Sequence, residues 1–338
     1  MSTPTTAART TPSPRRGRPG YGPVRAVVES VTHLSPSFAR LVFSGADMIS
    51  VGSEEPVFDQ RIKLIFPTPG HPLPELPDDE TWYTSWLELP ASTRGCMRTY
   101  SIRDLESTPN STHLTVDFVL HLEPGLCGPA ATWASQAVPG DEILILAPRR
   151  DAGAAGGIEF DPAGAPAVIL AGDETAAPAI ARILEDLSRT QPDILGTAFI
   201  EVPGPQAVLP IAGPAGVEMR WLPRNGRDHG ARLAPAVLEH LGMVLIDAHP
   251  NTPSTPADPD APDARDAPSP ELVWETPAFS ATGEEVATHD VNSDIYYWIA
   301  GESGVITRLR RHLVKDRGVA RSQVAFMGYW KHGIAMKS

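Results

Sequence analysis

The hydrophobic pattern of this chain changes period once, near Pro162, and that change restricts the fold more than any other feature. Before it, short runs at Val24–Thr32, Ala39–Phe43, Gln60–Phe66, Met97–Ile102, Thr112–His121 and Glu142–Ala147 read as strands, with apolar and polar residues alternating over Gln60–Phe66. Alternation with period two marks half-buried strands, and turn residues such as Pro139-Gly140-Asp141 join them as antiparallel neighbours. Residues 21–162 are therefore expected to form an antiparallel β-barrel. After Pro162, Ala167-Val168-Ile169-Leu170 is an unbroken apolar run, as in a strand buried on both faces of a parallel sheet. A helix capped by Asp173 or Thr175 is expected to run to Leu187, followed at the βαβ interval by a strand over Gly196–Val202. Val217–Trp221, Met243–Ile246 and Asp294–Ala300 read as further strands, and Ala231–His240 and Gly304–Lys315 as helices. Residues 163–338 thus read as an open α/β domain, and the fold class is β followed by α/β.

Two segments lie outside this pattern. Residues 1–20 are rich in Thr, Ser, Pro and Arg without an apolar core, so they read as a disordered arm and not as a secretory signal. Asn251–Pro270 carries six prolines and four aspartates and reads as a flexible insertion within the second domain. The segment around Trp82, Trp86 and Leu87 has no clear period.

Charge and cysteine count narrow the function. With a net charge of −13, the chain lacks the strong basic surface of a general nucleic-acid binder. No apolar run reaches membrane-span length, which argues against membrane insertion and, with the missing signal, for a cytoplasmic protein. The two cysteines, Cys96 and Cys127, are too few for a four-cysteine metal or iron–sulfur site. There is no HExxH and nothing resembling a Ser-His-Asp set, so no hydrolytic chemistry is indicated.

The residues that carry chemistry fall in five places. Arg98-Thr99-Tyr100-Ser101-Ile102-Arg103 sets a guanidinium, a flat ring and a hydroxyl at one strand end, with Arg98 and Tyr100 on one face. A guanidinium suits a phosphate and a tyrosine ring suits a flat cofactor. Gly128-Pro129-Ala130-Ala131-Thr132-Trp133 follows a strand as a small-residue helix start, where backbone N–H groups can approach a diphosphate. Ala171-Gly172-Asp173-Glu174-Thr175-Ala176-Ala177-Pro178 is a second strand-to-helix turn, without the full GxGxxG fingerprint. Arg220 and Arg224, after the third parallel strand, suit the adenosine phosphate of NADP, whereas Glu201 suits the ribose hydroxyls of NAD, so the nucleotide stays open. Trp298-Ile299-Ala300-Gly301-Glu302 and Gly328-Tyr329-Trp330-Lys331-His332-Gly333 complete the set. Arg308, Arg311 and Lys315 share one helix face and, with Lys331, offer local positive potential in an acidic chain.

In this order the motifs resemble the siderophore-interacting proteins, flavin-dependent ferric-siderophore reductases related to ferredoxin reductases, from about Tyr21 to Gly333. The resemblance implies FAD bound by the first domain: Arg98 on a phosphate, Tyr100 on the isoalloxazine, Thr99 beside it and Ser101 near the reactive nitrogen. His121 would lie near the ribityl or adenine part, and Gly128, Ala130 and Thr132 at the diphosphate. Ala131 stands where the family often has serine, so one hydroxyl contact would be lost. Gly172, Asp173, Glu174, Thr175 and Ala176, with Gly301 and Glu302, would face NADH or NADPH. Arg308, Arg311, Lys315, Trp330 and Lys331 would form the wall for an anionic ferric siderophore. The implied reaction is reduction of siderophore-bound iron(III) to iron(II), which hard oxygen donors hold far less tightly. Alternatives are a general NAD(P)H-flavin or ferric reductase, or a flavoprotein exchanging electrons with a ferredoxin.

Overall fold

A computed structural model of the chain describes residues 20–53, 56–121, 127–150, 156–242, 274–275 and 294–333. The arm at 1–19, the strand read at Met243–Ile246 and the insertion at 251–270 lie outside the described residues.

The first sheet contains β1 (Tyr21–Ser35), β2 (Phe38–Ser44), β3 (Arg61–Phe66), β4 (Cys96–Ser101), β5 (Asp104–Thr108), β6 (Ser111–Val119) and β7 (Glu142–Pro148). Their spatial order is β4-β3-β7-β1-β2-β6-β5, antiparallel throughout. Alternate residues of β1, Val24, Ala26 and Val28, enter the core, as period two requires. Register shifts at Val28/Ser30 and His33/Ser35 bend this long strand and curl the sheet.

The expected closed barrel is corrected here: the sheet is a curled half-barrel. Its edge strands β4 and β5 have no ladder between them; the chain crosses from one to the other at Ile102-Arg103. Ile102 N–H donates to Gln60 O at 2.9 Å on one side, and Arg103 N–H donates to Thr115 O at 2.9 Å on the other. Closure depends on which edges pair, and alternation within strands carries no trace of that. β5 itself escaped the sequence reading because its exposed, polar residues show no apolar alternation. The unassigned tryptophan segment is helix α1 (Trp82–Glu88), which buries Trp86 against the outer face of the sheet. Helix α2 (Pro129–Gln136) packs on β3, β4 and β6.

The second sheet holds β8 (Ala167–Gly172), β9 (Leu195–Val202), β10 (Val217–Pro223), β11 (Trp274–Glu275), β12 (Ile295–Glu302) and β13 (Val324–Trp330). Their order is β10-β9-β8-β12-β13-β11, parallel apart from β11. Helix α3 (Ala177–Thr190) buries its apolar stripe on one face, and α4 (Leu233–His240) and α5 (Ser303–Arg310) cover the other. Neither Asp173 nor Thr175 caps α3, which starts after Ala176. Beyond Arg310 the helix continues in wider, π-type turns over Arg311–Asp316. The strand order reverses between β8 and β12, where Gly172 lies opposite Ala300. Open α/β sheets bind ligands outside the carboxyl ends of their strands at such a point.

The sheets meet across an apolar contact in which Phe38 and Phe58 pack with Phe160, Leu184 and Trp298. Buried within it, Asp59 accepts hydrogen bonds from Trp298 Nε1 (2.9 Å) and from the N–H groups of Phe160 (3.0 Å) and Glu159 (3.1 Å). Burial nevertheless pushes its pKa up from 3.8 to about 6. A carboxyl whose folded pKa exceeds its unfolded value holds its proton more firmly when folded. Its contribution is therefore fully present below about pH 4, is lost as pH rises to about 6, and is level above. The stability difference between Asp59→Asn and the parent is expected to shift in favour of the variant by about 2 kcal/mol from pH 4 to pH 7. Parallel denaturant titrations at several pH values measure that slope; a constant difference would place the titration of Asp59 elsewhere.

Candidate functional site

The crevice at the switch point is assembled on Asp173. Its buried carboxylate accepts the N–H of Thr175 (2.9 Å), the Thr175 hydroxyl, the N–H of Glu302 (2.8 Å) and the indole N–H of Trp330 (2.9 Å). One side chain thus ties together the three motifs that end β8, β12 and β13. Burial and then the neighbouring charge of Glu174 raise its pKa above the usual carboxylate range. The glycines follow from this crowding. A Cβ on Gly172 would stand 2.4 Å from the Ala176 Cβ and 2.6 Å from Ala300 O. Gly301 has φ +143°, and a Cβ there would lie 2.6 Å from Asp173 Oδ2.

Trp330 sits among three imidazoles, with ring centroids 4.7 Å from His229, 5.9 Å from His121 and 6.3 Å from His332. His121 follows β6 of the first sheet, so both domains border this indole. Among the described residues His121 Nε2 and His229 Nδ1 are buried without a hydrogen-bond partner, and His121 Nε2 stands 3.9 Å from Glu174 Oε1. Burial and then Arg224 lower the His229 pKa, which favours neutral imidazole. His229 was missed in the sequence. The available signal was its Asp228-His229-Gly230 turn, where Gly230 has φ +78° and a Cβ would strike Val305.

Several predicted nucleotide residues are engaged by the protein itself. Glu174 and Arg224 form a buried bidentate pair at 2.6 and 2.7 Å. Glu201 accepts the N–H groups of Gly230 (2.7 Å), Arg232 (2.8 Å) and Leu233 (3.0 Å), and so anchors the start of α4. Arg220 stays at the surface, paired with Glu218 at 2.7 Å and with its guanidinium 5.5 Å from the Phe199 ring centre.

On the first sheet, β4 places Cys96, Arg98 and Tyr100 on one face by simple alternation. The Tyr100 ring packs 4.7 Å from Phe118 and 6.4 Å from Phe66, and Phe66 in turn meets Trp133 of α2 at 5.2 Å. Burial raises the Tyr100 hydroxyl pKa above its usual range, so the phenol stays protonated. Arg98 Nη1 donates to Met97 O at 2.7 Å, and the Thr99 hydroxyl lies 3.4 Å from Lys63 Nζ. Ser101 ends the strand opposite Arg61. Gly128 enters α2 in extended conformation with open space where a Cβ would stand. The first-turn N–H groups of Ala130 and Ala131 have no acceptor within the helix. The Thr132 hydroxyl turns back, donating to Gly128 O at 3.1 Å and lying 3.0 Å from Cys127 Sγ. An aromatic wall next to a helix start whose first N–H groups lack intrahelical acceptors fits a flat cofactor carrying a diphosphate.

The basic residues divide. Lys331 directly follows Trp330 at the crevice, and the His332 N–H donates to Glu302 Oε1 at 3.3 Å. Arg308, Arg311 and Lys315 are exposed along a helix that begins at the crevice with Glu302, whose side chain accepts the Val305 N–H at 2.9 Å. At about 1.5 Å per residue Arg308, Arg311 and Lys315 lie roughly 9, 14 and 20 Å along that axis from Glu302, so Lys315 is the farthest of the three from the crevice.

Comparison with known proteins matches residues 165–333 to the family "Siderophore-interacting protein" and residues 27–152 to "Siderophore-interacting FAD-binding domain". The uncharacterized protein Rv2895c of Mycobacterium tuberculosis is 30% identical over 308 residues, 90% of this chain and 89% of its own length. Ferric vibriobactin reductase ViuB of Vibrio cholerae is 26% identical over 89% of this chain and 86% of its own. The crystal structure of a siderophore utilization protein from T. fusca superposes with a TM-score of 0.65 at 26% identity, covering 95% of this chain and 97% of that one.

Proposed function

Because the chain belongs to the siderophore-interacting protein family, with an FAD-binding domain as its first half, we propose that it reduces the iron(III) of a ferric siderophore with electrons from NADH or NADPH. The observation that carries this reading is the meeting of both domains at Trp330. An indole fixed by Asp173 from the nucleotide side stands beside His121 from the FAD-binding side. The kinship with ferric vibriobactin reductase supports the iron chelate as substrate.

FAD, when bound, supplies acceptance of a hydride's electron pair and release of single electrons, the exchange needed between nicotinamide and iron(III). Tyr100 offers the ring wall for the isoalloxazine, and Ser101 the adjacent hydroxyl. Arg98 and the N–H groups of Ala130 and Ala131 hold its phosphates, with Gly128 permitting close approach. His121 presents an unpartnered nitrogen toward the same crevice. The nicotinamide nucleotide enters over Gly172 and Ala176, with Thr175 and Glu302 held in place by Asp173. Arg220, a partly exposed cation within β10, is the candidate for its adenosine end. Trp330 shields the crevice from water, and Lys331 attracts an anionic chelate. Arg308, Arg311 and Lys315 contribute longer-range attraction along the flank.

The first test is reduction of the flavin under anaerobic conditions. Thr175→Trp is expected to slow reduction by NADH or NADPH at least tenfold while leaving reduction by dithionite unchanged, since it fills the turn below Gly172. Equal slowing with both reductants, or with neither, would remove the nicotinamide from this crevice. Lys331→Glu is expected to raise the KM for an anionic ferric siderophore several-fold at low salt. The difference should shrink as salt rises, because the Debye length is about 8 Å near physiological ionic strength. A salt-independent or absent effect would take Lys331 out of substrate capture.

A further inference from the structure

The two sheets also meet along a line of charges about two to four turns down α3 from Thr175. Arg103 lies two residues beyond Ser101, and Asp104 opens β5. Arg103 donates through both terminal nitrogens to Glu185 of α3 at 2.7 and 2.6 Å, and its Nε stands 3.6 Å from Asp117. Asp117 accepts Arg40 at 2.7 and 2.8 Å. From α3, Arg182 donates to Asp104 at 2.6 Å and to Asp186 at 3.1 Å. Asp186 pairs with Arg189 and accepts the Phe58 N–H across the domain boundary at 2.7 Å. Arg40, Arg103, Asp104, Arg182, Glu185 and Arg189 border a cleft of about 380 Å³.

We infer that this lattice is a clasp, centred on Arg103–Glu185 and Arg182–Asp104, that sets the angle between the FAD-binding and nucleotide domains and thereby the approach of nicotinamide to flavin. The inference rests on the function proposed above. The apolar contact around Phe38 and Phe58 gives adhesion but little direction, because hydrophobic attraction follows area, not angle. A planar guanidinium gripping a carboxylate through two parallel bonds fixes orientation. The four arginines face Asp104, Asp117, Glu185 and Asp186, so the cluster is charge-balanced and holds protein to protein without needing a bound anion. The side chains of Arg103 and Arg182 are 11% and 5% exposed, whereas those of Glu185 and Asp104 are 30% and 44% exposed. The cations are therefore costly to strand, while their partners on the cleft side remain within reach of solvent and salt. The clasp also grips the corner that carries the flavin motif, since only Ile102 separates Ser101 from Arg103. Arg103, Glu185, Arg182 and Asp104 are positioning residues: they touch no reacting atom. A misplacement of about 1 Å between reacting groups can cost on the order of 100-fold in rate.

The test is the double variant Asp104→Asn/Glu185→Gln, which keeps side-chain shape and removes both carboxylate charges. Spin labels at Asn110 and Asp193, with Cys96 and Cys127 replaced by Ser in both proteins, report the inter-domain distance independently of any reaction. The parent is expected to give one narrow distance distribution and the double variant a broader or displaced one. At saturating nicotinamide nucleotide, the limiting rate of flavin reduction should fall about tenfold. FAD content and reduction by dithionite should hold, and Glu185→Asp should recover part of the rate. An unchanged distance distribution would overturn the clasp. A changed distribution with an unchanged limiting rate would overturn its positioning role. If the parent itself is not reduced by NADH or NADPH, the proposed function fails, and the distance distributions alone still decide whether the clasp exists.

Discussion

Replacing Glu174 with Ala is expected to lower the stability of the nucleotide domain by about 3–5 kcal/mol, the largest effect of any single change at the crevice. Arg224 is buried, and Glu174 supplies both oxygens of its bidentate pair at 2.6 and 2.7 Å. Without that carboxylate, the remaining ion pair of the guanidinium among the described residues is Glu201 at 3.6 Å, and Glu201 is already occupied by three backbone N–H groups. The melting temperature should fall by roughly 10 °C for a domain of this size. The paired change Glu174→Met/Arg224→Leu should cost less, because it strands no guanidinium and Glu201 keeps its three backbone N–H donors. A thermal melt of the three proteins separates these cases. A single variant that melts with the parent would show that Arg224 does not depend on this carboxylate.

The second large effect is expected in cofactor retention. Arg98→Ala removes the guanidinium assigned to an FAD phosphate, and a hydrogen bond to a charged group contributes about 1.5–3 kcal/mol. That corresponds to roughly 10- to 100-fold weaker binding of FAD. Arg98→Lys should fall between the two, since it keeps the charge and loses the planar fork. In the structure Arg98 Nη1 donates to Met97 O, which shows that the side chain reaches along its own strand and must reorient to meet a phosphate. FAD titrations into the apoprotein, followed by tyrosine and tryptophan fluorescence, measure the series. Equal affinities across it would assign the phosphate to other groups.

The ladder-forming parts of the fold were legible because each strand wrote its own burial into sequence. β1 and β2 alternate, and β7 and β8 are continuously apolar, so the strands could be read locally. Three features left no such trace. β5 is short, polar and exposed. Closure of the first sheet depended on an absent pairing between β4 and β5. β13 was visible only as the Gly328–Gly333 motif, although its buried run from Val324 to Met327 matches the other parallel strands.

The site was legible as motifs but not as a constellation. Gly172, Gly301 and Trp330 each stood out in sequence, yet their common dependence on Asp173 joins positions up to 157 residues apart. The same limit applies to charges. Arg224 and Glu201 looked available for a nucleotide until the fold placed Glu174 and the start of α4 against them. Arg308, Arg311 and Lys315 are each exposed, but periodicity could not foresee that the helix changes to π-type turns at Arg311, which alters the spacing on which a common face was read. The clasp pairs Arg103 with Glu185, 82 positions later, and no local pattern announces that contact.

The central claim is that electrons pass from a nicotinamide nucleotide through FAD to siderophore-bound iron(III), and two anaerobic half-reactions test it directly. Purified protein loaded with FAD is mixed first with NADH or NADPH while the flavin absorbance is followed. A ferric siderophore and a ferrous-iron trap are then added. The expected result is bleaching by one of the two nucleotides, followed by recovery of the flavin colour in step with two equivalents of trapped iron(II) per flavin. Bleaching that is never reversed by any ferric siderophore, with no iron(II) trapped, would contradict the account.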